Sequence, residues 1–135
     1  IVSRGTILIP AQGTLGEKEI FAKAKFVWGY LENKLVAGHV MRFQPNEERI
    51  AAGYLYAILS SPLWFRLLRA SVFGTNLLGF ITDLLLDYPI PRFSKEREAT
   101  IDALVKGAYD LFTEANKFEE LAISMIEKEI DSWQK

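Results

Sequence analysis

The hydrophobic pattern begins at the period of a strand and ends at the period of a coiled coil. Residues 6–9 are apolar and rich in β-branched side chains, which favours a strand. Pro10 cannot donate to a sheet ladder, so that strand ends there or runs along an edge. Gly13 and Gly16 then bracket Thr14 and Leu15. Two glycines three apart predict backbone at positive φ or a close neighbour. The corner of a hairpin gives the same pattern. Residues 26–31 and 35–43 read as further strands, with Glu32, Asn33 and Lys34 as the turn between them and Gln44, Pro45 and Asn46 as the stop. Residues 6–43 thus predict three or four strands of a twisted sheet.

From Ile50 the period changes. Ile50, Tyr54, Leu55, Ile58 and Leu59 fall at helical spacing. Pro62 suits the first turn of a second helix, which Leu63, Trp64, Leu67, Leu68 and Ser71 continue with Arg66 and Arg69 on its polar side. Residues 72–76 read as a loop, 77–86 as an apolar run broken by Gly79, and 87–91 as a rigid extended segment set by Pro89 and Pro91.

Ser94 reads as an N-cap, with Glu96 and Glu98 in the first turn, where negative charge is favoured. Only Gly107 interrupts helix formers from there to the end. The helix expected over residues 94–134 has about 38 residues from Arg97 onward, which would span roughly 57 Å at 1.5 Å per residue. Ile101, Leu104, Ala108, Leu111, Ala115, Phe118, Ala122 and Met125 alternate in threes and fours, a heptad seam. Val105, Phe112, Leu121, Ile126, Ile130 and Trp133 widen it. So long a seam predicts a helical partner, in cis or in a homodimer; an amphipathic helix folded back on the domain is the simpler alternative. The fold class expected is α+β, a small twisted-sheet globule over residues 1–92 followed by a long coiled-coil-type helix over residues 93–135.

Composition then limits the chemistry. Half of the 135 residues are hydrophobic, which argues against disorder. There is no cysteine and one histidine, so disulfides, thiolate chemistry and histidine-rich metal sites are excluded. His39, in a predicted strand, reads as a satisfied structural side chain. No run reaches the ~18 apolar residues of a membrane span. The start at Ile1, without a secretory signal and already near a strand, reads as a fragment of a longer chain. The net charge of −1 conceals an asymmetry: residues 1–92 carry ten lysines and arginines against seven acids, a net +3, and residues 93–135 carry six against ten, a net −4. No nucleophile with its base, acidic nuclease cluster or phosphate-cradling lysine stands out, so no enzyme activity and no cofactor or metal is expected. For nucleic acid the candidates are Gln12, Thr14, Lys18, Lys23, Lys25, Lys34, Arg66, Arg69 and Asn76. Lysine and arginine neutralise phosphates, and glutamine, asparagine and arginine read base edges. Each alone reads more readily as an ordinary surface residue. Phe73 and Trp64 could stack on bases, though core packing accounts for both.

Gly5-Thr6-Ile7-Leu8-Ile9 followed by Gly13-Thr14-Leu15-Gly16 resembles a motif of the target recognition domains in type I restriction–modification specificity subunits. The strand ending at Arg42-Phe43, the stretch Tyr54-Leu55-Tyr56-Ala57-Ile58-Leu59-Ser60-Ser61, and Gly74-Thr75 with the later Tyr88-Pro89-Ile90-Pro91 are similar to further segments of that family, in the same order. The family often opens its long helix with Glu-Gln, where this chain has Arg97-Glu98. The resemblance implies part of one recognition domain plus one conserved-region helix. It implies a non-catalytic, prokaryotic, cytoplasmic module that binds double-stranded DNA. Its partners would be adenine methyltransferase subunits, docked by the helix, and a restriction–motor subunit. The alternative is an assembly or docking module that does not bind DNA.

Overall fold

The computed structural model describes residues 1–74, 78–80 and 82–133. Strands β1 (Ile7–Pro10), β3 (Lys25–Phe26) and β4 (Val40–Phe43) form an antiparallel sheet in the order β3-β1-β4. The register sets Ile7 opposite Phe26 and Phe43, and Ile9 opposite Met41. Side chains alternate across a strand. Ile7, Ile9 and Phe26 therefore enter the core, while Leu8, Lys25 and Arg42 share the outer face. Strand β2 (Gln12–Gly13) leaves that sheet after Pro10 and joins β5 (Val72–Phe73) and β6 (Leu78–Phe80) in a second one, ordered β2-β6-β5.

Helices α1 (Ala52–Leu59) and α2 (Pro62–Ala70) follow the predicted pattern. Ser61 caps α2 by accepting from the Trp64 amide, and Pro62 occupies its first turn. Tyr54, Ile58, Leu59, Trp64 and Leu68 complete the core with Ile7, Ile9, Phe21 and Phe26. A short α3 (Thr82–Leu86) precedes the proline-rich segment. The architecture is α+β, a small sheet-and-helix globule that leads into one long helix, α4 (Lys95–Ser132).

Three expectations are corrected. The strand expected over residues 26–31 stops at Phe26, because Gly29 adopts φ +61 and opens a 3-10 turn over Gly29–Leu31. The strand expected over residues 35–43 begins only at Val40. Within the expected loop over residues 72–76, Val72 and Phe73 pair as β5. Thr75, Asn76, Leu77, Gln134 and Lys135 lie outside the described residues.

Helix α4 is capped by Ser94, which accepts from the Arg97 amide. It docks on the globule through a face that shares only Ile101 and Val105 with the hydrophobic pattern. Asp102 Oδ1 accepts from the Gly53 amide at 2.8 Å. Tyr109 is buried, accepts from the Phe26 amide and donates to the Tyr56 hydroxyl. Asp110 accepts from Trp28 Nε1 at 2.8 Å, and Thr113 Oγ1 accepts from the Tyr30 amide. At the helix start Arg92 grips buried Glu98 with two bonds of 2.8 and 2.7 Å.

Candidate nucleic-acid interface and partner-helix face

The loop after β2 is held by an arginine. Arg69 Nη1 donates to the Leu15 carbonyl at 2.6 Å, and Nη2 donates to the carbonyls of Gly16 and Phe21. Its guanidinium also lies 4.1 Å from the centre of the Phe65 ring. A guanidinium with that many partners fastens the loop to α2, so Arg69 is a scaffold residue where a phosphate contact was expected. Gly13 meets its expectation: φ is +154°, and a Cβ there would stand 3.0 Å from Phe21 Cβ in the core. Gly16 lacks the left-handed φ but has the close neighbour, since a Cβ there would stand 2.8 Å from Glu19 Cγ.

The other candidates fall into groups. Gln12, Thr14, Lys18 and Lys23 are exposed on β2 and the loop behind it, with Lys23 Nζ donating to the Glu17 carbonyl at 2.9 Å. Arg66 is exposed on α2, one turn before Arg69. Lys25 is exposed on the outer face of the first sheet. Lys34 stands apart, lining a cleft with Asn116, Lys117 and Glu120 of α4. Asn76 lies outside the described residues. Sequence reasoning missed Arg42, which the register places across Leu8 from Lys25 on the outer face. The signal was present in the alternation of β4, where Met41 and Phe43 face the core and Arg42 must face out.

Where the two sheets meet, a cleft of about 340 Å3 is lined by Gln12, Gly38, His39, Val40, Phe73 and Gly79, among others. Phe73 is 62% exposed there, so core packing does not account for it; Trp64, by contrast, is 6% exposed and belongs to the core. No group of three or more histidines or carboxylates able to hold a metal occurs among the described residues.

The predicted seam faces away from the globule. Leu104, Leu111, Phe118 and Met125 are 69, 67, 72 and 64% exposed. Ala108, Ala115 and Ala122 between them are exposed as well. Ile101 is the exception, half-buried against the core together with Val105. The alternative in which the helix folds its seam back onto the domain is thereby overturned, although the helix does dock by its other side.

Electrostatics concentrate on the docked face. The Arg92 guanidinium holds the Glu98 carboxyl below the usual range, with help from the Phe93 amide and against the desolvation of the site. Burial raises the Tyr109 hydroxyl, and its bond to Tyr56 raises it further, so it stays protonated. These groups fasten α4 to the globule. No helix among the described residues is long and apolar enough to cross a membrane. No protein-family model matches the chain, and no curated protein matches it.

Proposed function

We propose that this chain is a DNA-recognition module of a type I-like restriction–modification specificity subunit, without catalysis of its own. The observation that carries the reading is the two-sided α4. One side is fastened to the globule by Glu98, Asp102, Tyr109, Asp110 and Thr113. The opposite side offers an uncovered heptad seam. A module that must hold a DNA-reading globule at a fixed distance from a partner needs that combination. Supporting it, the globule exposes Gln12, Thr14, Lys18 and Lys23 on β2 and the loop behind it, Arg66 on α2, and Lys25 with Arg42 on one sheet face. In this reading the methyltransferase and motor–nuclease partners supply catalysis, in a prokaryotic cytoplasm.

The exposed seam also favours a second reading, an assembly module that binds no DNA. Salt dependence separates the two. A protein that neutralises several phosphates loses affinity steeply as salt rises, with a log–log slope of about −0.9 per contact. Duplex binding by the full-length protein, alone and with an adenine methyltransferase encoded beside it, should show such a slope. Absence of salt-dependent binding in both forms would leave only the assembly reading.

A further inference from the structure

We infer that the cleft between the two sheets reads one A·T base pair from the major groove, Gln12 taking the adenine edge and Phe73 the thymine methyl. This rests on the DNA-recognition reading above and names the residues that would set specificity. Gly79 pairs with Gln12 on one side and with Phe73 on the other, so the three form one row across the second sheet. Residues directly opposite on neighbouring strands point to the same face. Strands are spaced at about 4.8 Å, so Gln12 and Phe73 stand roughly 10 Å apart with a glycine between them. Gly79 supplies no side chain and lines the cleft together with Gln12 and Phe73. A Cβ placed there would be 3.7 Å from Phe73 Cε1, so the ring lies against the glycine rather than waving free.

The chemistry of the row selects its ligand. A glutamine amide pairs with adenine N6 and N7 in two bonds, and an apolar ring contacts the thymine methyl. A G·C pair offers two acceptors at that place and no methyl. The minor groove offers neither the methyl nor the adenine amino group. Phosphates are served by neighbours instead. Val40 lines the cleft, and Arg42, two residues further along β4 on the same face, lies across Leu8 from Lys25. None of the residues lining the cleft is acidic.

The test uses the full-length protein and a pool of duplexes with randomised sequence. The selected duplex is then remade with 7-deazaadenine, which lacks N7, or with uracil, which lacks the methyl, at each A·T pair in turn. At one pair both analogues should weaken wild-type binding. Gln12→Ala should lower the preference for A·T over G·C at that pair by about tenfold and make 7-deazaadenine neutral there while uracil still costs affinity. Phe73→Ala should show the converse. Both side chains are exposed. Should Phe73→Ala melt early, the Gln12→Ala arm decides alone. If both variants keep the wild-type penalties at every A·T pair, the cleft does not read bases, while selection of a sequence keeps the DNA reading. Analogue effects on two different pairs would also overturn the assignment. If no sequence is selected and no salt-dependent binding is found, both inferences fail together.

Discussion

Replacing Gly53 by alanine tests how α4 is fixed to the globule. An ideal Cβ at Gly53 would sit 2.7 Å from Asp102 Oδ1, 2.9 Å from the Asp102 carbonyl oxygen and 3.2 Å from its Cα. Carbon–oxygen contacts normally begin near about 3.3 Å, so backbone on one helix must move. Overpacking of this kind costs about 1–3 kcal/mol. Displacing Asp102 also weakens its bond from the Gly53 amide, and a bond to a charged group contributes about 1.5–3 kcal/mol. The better helix propensity of alanine returns at most about 1 kcal/mol. The net expectation is a loss of about 2–4 kcal/mol. Gly107→Ala is the internal control, because nothing lies within 4 Å of a Cβ there. That variant should gain up to about 1 kcal/mol from propensity alone. Urea unfolding reads both: the Gly53→Ala midpoint should fall by about 1 M or more at an unchanged slope, and the Gly107→Ala midpoint should rise. If Gly53→Ala is as stable as Gly107→Ala, the two helices are not in backbone contact and the docking described for α4 is wrong.

Arg69→Ala should destabilise the fold by about 2 kcal/mol through loss of its three carbonyl partners, and leave the salt slope of DNA binding unchanged. Lys25→Ala and Arg66→Ala should instead leave stability alone and flatten that slope by about 1 each in titrations across salt concentrations. The lowered carboxyl of Glu98 contributes stability above the ordinary glutamate value of 4.5 and loses it as pH falls through the folded-state value. Glu98→Gln should therefore unfold at lower urea than wild type at pH 7, with the gap closing in acid. Leu111→Asp should abolish any self-association seen by sedimentation while the globule's circular dichroism stays native, since the side chain is 67% exposed in the single chain.

The elements that hydrophobic period and capping chemistry specify were legible. Pro62, and Ser94 with Glu96 and Glu98, mark the starts of α2 and α4 where they lie. Pro10 marks the end of β1. What escaped depends on contacts between distant residues. A two-residue strand such as Val72–Phe73 carries too few side chains for any period, and exists because β6 pairs with it. The role of Arg69 depends on a loop more than fifty positions away. The docked face of α4 was invisible for a different reason. Apart from Ile101, Val105 and the Tyr109 ring, its contacts are made by aspartate, threonine and the hydroxyl of Tyr109, which a hydrophobicity pattern assigns to solvent. The pattern found the apolar side correctly and left open the question of what covers it.

That inversion bears on what the seam can pair with. Burying a leucine, phenylalanine or methionine side chain contributes about 1.5–3 kcal/mol. Leu104, Leu111, Phe118 and Met125 from two copies would together contribute about 12–24 kcal/mol as an upper estimate. Association of separate molecules costs about 4–15 kcal/mol, with further losses for each ordered side chain. A pair of identical chains is then favourable by a modest margin that depends on concentration. A helix joined to the same polypeptide gains the same contacts without the full cost of association, because the linker keeps its effective concentration high. A cis partner therefore displaces a second copy wherever the full-length protein supplies one. The alanines between the large residues admit either occupant at close range, so the choice between them is set by connectivity rather than by the shape of the seam.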